Sequence, residues 1–211
     1  KATTKYSSIK NSDVIIICVP TPLSKSKDPD ISYILNSINS ISSELKLNTL
    51  LVLESTTYPG TTEELVLPIL EKSKGRNLKV GNDFYLGYSP ERIDPARSNQ
   101  SIRNTPKVIA GITEECLDLV KIFYESIVDK VVPVSNTKAA EMVKLLENTF
   151  RATNVALVNE IYLICDKLNI DVWEVIEAAK TKPFGFMPFY PGPGIGGHCI
   201  PVDPHLLEWK L

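Results

Sequence analysis

Apolar residues change their spacing twice along this chain, and the changes divide it. Asp13 to Pro20, Asp-Val-Ile-Ile-Ile-Cys-Val-Pro, is a continuous β-branched run, the mark of a strand covered on both faces of a parallel sheet. Thr49 to Glu54 repeats the pattern, and Asp30 between them is placed to cap a helix running to about Leu45. After Pro59-Gly60, Thr61 and Glu64 have capping-box spacing and predict another helix. Strands are then expected near Phe84 to Tyr88, at Lys107 to Ala110 and at Lys130 to Val134, with a helix from Thr113 to Ile127. This alternation predicts an α/β fold with a mostly parallel sheet and helices on both faces.

The pattern changes after Ser135. Asn136 or Thr137 is placed to cap a helix from Lys138 to about Leu168; Asn169 breaks it, and Asp171 opens a further helix to about Lys180. Such a helix is long for a globular protein and suggests a spine joining two domains. Its apolar positions, Met142, Leu145, Leu146, Phe150, Leu157, Val158, Ile161 and Ile164, cover more than one stripe, which predicts packing against a partner helix as well as the chain itself. A homodimer is the simplest source of that partner. The expected division is therefore 1–135, an incomplete Rossmann-like unit, and 136–211, an all-helical central unit.

Composition adds exclusions. The 211 residues carry a formal charge of -2 with 43% hydrophobic residues, and the scattered basic residues show no nucleic-acid footprint. The apolar run from Val14 to Val19 is too short to span a bilayer and no signal peptide is present, so a cytoplasmic protein is expected. The abrupt ends suggest a truncated piece. Four cysteines at unrelated spacings argue against zinc and against a disulfide framework; Cys18, Cys116 and Cys165 read as ordinary buried thiols.

Candidate chemistry gathers in a few segments. Residues 190 to 204, Tyr-Pro-Gly-Pro-Gly-Ile-Gly-Gly-His-Cys-Ile-Pro-Val-Asp-Pro, form a shaped loop rather than a helix or strand. It delivers Cys199 just ahead of a helix that Asp203 caps and Pro204 opens, where the dipole favours a thiolate. A Gly/Pro connector with a buried cysteine would read the same way. Ligands of parallel α/β sheets lie beyond the carboxyl ends of the strands, where Val-Pro-Thr-Pro (19–22) and Glu-Ser-Thr-Thr-Tyr-Pro-Gly (54–60) fall; simple turn chemistry would account for either equally well. No G-x-G-x-x-G turn follows a strand, so if the fold binds a dinucleotide, its pyrophosphate-binding βαβ unit is expected upstream of Lys1. Lys144 and Asn148, four apart, share a helix face, and Ser-Pro-Glu-Arg (89–92) ends a strand.

Together these segments resemble the nucleotide-sugar 6-dehydrogenases, the family of UDP-glucose and GDP-mannose dehydrogenases. The resemblance rests on Val-Pro-Thr-Pro, Ser-Thr-x-x-Pro-Gly (55–60), Ser-Pro-Glu (89–91), Lys-x-x-x-Asn (144–148) and Gly-Gly-x-Cys-x-x-x-Asp (196–203). Lys182 to Gly194 and Ser-Pro-Glu-Arg-Ile-Asp-Pro look most like the UDP-N-acetylglucosamine 6-dehydrogenase branch. Where glucose-oxidising members have Pro-Glu-Phe-Leu and then an acidic residue, this chain has Arg92 and Pro95.

The resemblance implies an NAD domain, a central helical dimerisation domain and a C-terminal UDP-sugar domain, of which this chain lacks the last. It implies oxidation of a sugar C6 alcohol to a carboxylate with two NAD+ and one water. Cys199 would be the nucleophile and Lys144 the oxyanion donor. Asn148 would position sugar and water, Asp203 would assist proton transfer, and Thr56 with Glu91 would hold the hydrolytic water. NAD would be contacted by Val19, Pro20, Thr21, Ser55 and Thr56. The UDP-sugar would meet Glu91, Arg92, Lys144, Asn148, Tyr190, Gly192, Gly194 and Gly196, with no metal. UDP-glucose, UDP-N-acetylmannosamine and GDP-mannose stay open as substrates. A two-electron β-hydroxyacid-type dehydrogenase and a non-catalytic dimerisation fragment are the alternatives of other classes.

Overall fold

A computed structural model of the chain describes residues 2–93, 101–197 and 200–210. It divides into two compact units, residues 1–145 with 206–211, and Leu146–His205. Among the described residues the first unit contains a five-stranded sheet in the order β1-β2-β3-β4-β5. Its strands are β1 (Val14–Ile17), β2 (Leu50–Leu53), β3 (Tyr85–Tyr88), β4 (Lys107–Gly111) and β5 (Val131–Pro133). β1, β2 and β3 are parallel, β4 runs antiparallel to β3, and β5 is parallel to β4.

The alternation of β2 explains the layers. Leu51 and Leu53 pack in a core with Ile34, Ile38 and Ile41 of α1 (Ser32–Glu44) and Leu70 of α2 (Leu67–Glu71). Leu50 and Val52 point to the opposite face, against Val120 and Tyr124 of α3 (Glu114–Glu125). Burying both faces of a strand in this way accounts for its uninterrupted apolar run. β1 differs from the expectation of a strand covered on both faces. Among the described residues it pairs only with β2, and Ile16 remains 41% exposed. Cys18, expected to be buried, is exposed at its end, whereas Cys116 and Cys165 are buried.

The turn after Gly60 also departs from the sequence reading. Residues Thr61–Val66 form a π-helical turn leading into α2, and no side-chain cap of the expected Thr61/Glu64 kind is made. Thr61 Oγ1 instead lies 2.6 Å from Thr57 Oγ1, and Glu64 pairs with Lys138 and Lys210. The open N-H groups are taken by Glu141, 81 residues further on: its carboxylate accepts from Gly60 N at 2.5 Å, Thr62 N at 2.9 Å and Thr62 Oγ1 at 2.7 Å. Gly60 has φ of 100°, a left-handed conformation suited to glycine. Glu141 is fully buried; burial pushes its carboxyl above the usual range, and the three donors oppose that rise. Glu141→Ala leaves those donors unpaired, so chemical denaturation should show a loss of about 3 kcal/mol. A loss below about 1 kcal/mol would mean that the clamp contributes little.

α4 (Thr137–Lys167) is the long helix foreseen, and Asn136 Oδ1 accepts from Ala139 N at 2.8 Å. Just beyond its end Asn169 has φ of 55°, after which Asp171 caps α5 (Val172–Lys180) through Trp173 N. Within the second unit, Val158 and Cys165 of α4 pack on Val172 and Ile176 of α5, with Ile161 and Phe189 alongside. Leu146, Phe150, Leu157, Leu163 and Ile164 stay exposed. A groove of about 760 Å³ lies in this unit, lined by Phe150, Leu157, Ile161, Val175, Phe186 and Met187 among others. α6 (Asp203–Lys210) closes the described chain, and its Trp209 ring stands 4.7 Å from that of Tyr58.

Candidate active site

Two loops leave the carboxyl ends of β1 and β2 side by side and are laced together by their own hydroxyls. Ser55 Oγ donates to Val19 O at 2.8 Å and Thr21 Oγ1 to Thr56 O at 2.7 Å. Ser55 is buried, Val19, Thr21 and Thr56 are half-buried, and Pro20 is exposed. The sequence-predicted cofactor residues therefore do converge on one end of the sheet, although the Ser55 hydroxyl is spent on the lacing. The position fits part of a dinucleotide lying across parallel strand ends. No described loop is a glycine-rich turn able to cradle a pyrophosphate, so phosphate binding is assigned to no residue here.

The Ser-Pro-Glu turn follows β3. Ser89 is buried and its Oγ donates to Val108 O at 2.8 Å. Glu91 Oε1 accepts from Arg92 N and Ile93 N, each at 2.7 Å, while Oε2 accepts from Lys107 Nζ at 3.2 Å. Burial raises the proton affinity of Glu91, but the Ile93 amide and then the Lys107 ammonium outweigh it and hold the carboxyl below the usual range. Arg92 Nη1 donates to Pro106 O at 2.8 Å, tying the turn to the start of β4.

Lys144 comes to the same turn from α4. Its Nζ donates to the Glu91 main-chain oxygen at 2.6 Å. An ammonium has three donors, so this bond orients the group and leaves protons for another acceptor. Glu141, on the same helix, grips the turn that follows Thr56 and Thr57. Thus α4 holds both the loop of Thr56 and the turn of Glu91 in place.

In the second unit, Asn148 Nδ2 donates to Asp203 Oδ2, and both residues are buried. α6 is assigned from Asp203 itself, one residue earlier than the cap reading and within the ordinary spread of helix boundaries. Tyr190 OH donates to Glu177 Oε1 at 2.7 Å, and its ring stacks at 6.0 Å on Trp173. Gly192 N donates to Asn159 Oδ1 at 2.9 Å. Gly194 and Gly196 are exposed with positive φ. Cys199, with Pro95, lies outside the described residues.

Sequence reasoning missed Glu54, Lys107 and Tyr124. Lys107 Nζ sits 3.1 Å from Glu54 Oε1 and 3.2 Å from Glu91 Oε2, and 5.3 Å from the centre of the Tyr124 ring. The only signal was that Glu54 and Lys107 are charged residues at the ends of otherwise apolar strands, which reads as a boundary. Among the described residues no cluster of His, Cys, Asp and Glu could hold a metal ion, and no helix is long and apolar enough to cross a membrane.

The model of the UDP-glucose/GDP-mannose dehydrogenase family NAD binding domain matches residues 1–128, and that of the family's central domain matches residues 138–211. A UDP-N-acetyl-D-glucosamine 6-dehydrogenase of Pseudomonas aeruginosa is 42% identical over 96% of this chain and 47% of its own length. The CapL protein of Staphylococcus aureus is 44% identical over 99% of this chain and 48% of its own. The structure of a UDP-D-ManNAc dehydrogenase from Pyrococcus horikoshii superposes with a TM-score of 0.90 at 41% identity, covering 97% of this chain and 48% of that one. The chain spans about half the length of the curated relatives it matches.

Proposed function

Because this chain belongs to the UDP-glucose/GDP-mannose dehydrogenase family, we propose that the full-length protein oxidises the C6 hydroxyl of a UDP-N-acetylhexosamine to the carboxylate, using NAD. UDP-N-acetylglucosamine is the substrate proposed first and UDP-N-acetylmannosamine second, since relatives of both names match at similar identity. The observation that carries the reading is the meeting of the Lys-x-x-x-Asn helix with the Ser-Pro-Glu turn, where Lys144 Nζ lies 2.6 Å from Glu91 O. Residues 1–135 would belong to the NAD domain and 136–211 to the central domain.

When bound, NAD+ supplies the hydride acceptor, and Val19, Pro20, Thr21, Ser55 and Thr56 would contact it. Each turnover balances as one alcohol, two NAD+ and one water giving one carboxylate, two NADH and protons. At the aldehyde stage the Cys199 thiolate adds to C6, and after the second oxidation water displaces that sulfur from the thioester. Lys144 donates to the oxygen on C6 as it becomes negative. Glu91, with Thr56, holds the attacking water as a hydrogen-bond acceptor. Asn148 positions the sugar and a water, Asp203 assists proton transfer, and their mutual hydrogen bond keeps both side chains oriented. Arg92, Tyr190, Gly192, Gly194 and Gly196 are the remaining substrate contacts.

A second copy of the chain is the proposed cover for the apolar face of the second unit. Leu157, 57% exposed, and Leu146, 60% exposed, stand on the same helix as the groove-lining Phe150, and an exposed apolar patch of this kind marks an interface. Incubating the full-length protein with NAD+ and each UDP-sugar in turn tests the substrate. NADH is expected from the N-acetylhexosamines and little from UDP-glucose; the reverse order would overturn the sugar assignment.

A further inference from the structure

The side chain of Lys107 is only 9% exposed and lies between two carboxylates. Glu54 Oε1 lies 3.1 Å from its Nζ and Glu91 Oε2 lies 3.2 Å away. The Tyr124 ring packs against the same ammonium, at 5.3 Å, and its hydroxyl donates to Glu54 Oε1. Cys18 Sγ lies 3.6 Å from the other Glu54 oxygen, Oε2. A buried cation of this kind is expensive unless it is paired. One carboxylate would neutralise it; here it has two, and the second belongs to the turn that Lys144 also grips.

We propose that Lys107 is a positioning residue for Glu91: held in place by Glu54 and Tyr124, it fixes the direction in which the Glu91 carboxylate points. The inference rests on the reading of Glu91 as the acceptor that holds the hydrolytic water. Glu91 is a turn residue, and its Oε1 is tied to the amides of its own turn. Its Oε2 is tied to the sheet by Lys107. Lys107 starts β4, which is hydrogen-bonded on one side to β3 and on the other to β5, so the ammonium is anchored to a rigid element.

The electrostatics give the arrangement a distinctive signature. Groups facing Glu91 are Lys107, Arg92 with its guanidinium on Pro106 O, and Lys144 on its main-chain oxygen. Groups facing Glu54 are Lys107, Tyr124 and Cys18. Partial burial of the sulfur, in a residue whose surface is otherwise exposed, and then Glu54 push the Cys18 thiol up to about 11; burial and Glu54 raise the Tyr124 phenol as well, so both stay protonated near neutral pH, and among the described residues Lys107 is the cation the two carboxylates share. Removing Lys107 leaves Glu91 with a higher proton affinity. Removing the Glu54 charge does the opposite, because Glu91 then loses the repulsion of a neighbouring carboxylate on the same ammonium.

The test compares kcat against pH for the full-length enzyme with Lys107→Met, Lys107→Arg and Glu54→Gln, alongside Glu91→Gln. Lys107→Met is expected to lower kcat about tenfold or more and to move the acid limb to higher pH. Lys107→Arg should restore most of the loss, and Glu54→Gln should move the limb to lower pH. Selective carbon-13 labelling of glutamate carboxyls, with Glu91 assigned from its absence in Glu91→Gln, reads the same opposite shifts without turnover. Shifts in one direction for both variants, or no shift in either, overturn the proposal. Failure of the parent reading looks different: Glu91→Gln would then keep wild-type activity while the carboxyl shifts still occur.

Discussion

Replacing Lys144 by alanine in the full-length enzyme is expected to lower kcat by about 100- to 1,000-fold, the usual effect of removing one preorganised oxyanion donor. KM for the sugar nucleotide should change far less, because the oxygen at C6 gains its charge only on the way to the transition state. The geometry supplies the reason. Lys144 uses one proton on Glu91 O at 2.6 Å, which fixes the direction of the ammonium, and a fixed donor costs no reorganisation when charge develops. Alanine also frees the Glu91 turn, so part of the loss will come through that residue. Lys144→Arg separates the two effects: a guanidinium can keep the bond to the carbonyl while misplacing the donor. Steady-state kinetics within threefold of wild type for the alanine variant would remove Lys144 from the chemistry.

Cys199→Ser should reduce formation of the acid by about a thousandfold or more, the scale on which removal of a nucleophile acts. Serine is a poor nucleophile without a base to activate it, and an alkoxide leaves an ester far less readily than a thiolate leaves a thioester. The first oxidation does not need the sulfur, so a single turnover with enzyme in excess should still produce some NADH. Mass spectrometry of wild type quenched during turnover should find the sugar acyl group on Cys199, and none on the serine variant. Unchanged acid production by the variant would exclude the covalent route.

Much of the architecture could be read from local pattern. β1 and β2 show as continuous apolar runs, α3 begins where Thr113 accepts from Cys116 N, and α5 begins where Asp171 accepts from Trp173 N. These are features whose causes lie within a few residues. What escaped reading has distant causes. β4 pairs antiparallel with β3 through Tyr88 and Ala110, and nothing in either strand records direction. The turn at Thr61–Val66 lacks its own cap because Glu141 supplies the acceptors from α4. β1 was expected to be covered, yet coverage depends on neighbours rather than on the run itself.

The site shows the same division. Lys144 and Glu91 were legible as motif residues, and their meeting follows from α4 packing against the end of the sheet. The Glu54, Lys107 and Tyr124 group was not legible, since each looked like an ordinary strand end or helix face. Only the fold brings a lysine from β4 between carboxylates that follow β2 and β3. Charged residues closing apolar strands are therefore the positions where a sequence of this kind hides its electrostatics.

The most direct test of the four-electron account is the ratio of NADH formed to UDP-N-acetylhexosamine consumed by the full-length enzyme at completion. Two NADH per sugar, with the uronic acid as product, is the predicted result. One NADH per sugar, with an aldehyde or ketone accumulating, would contradict it.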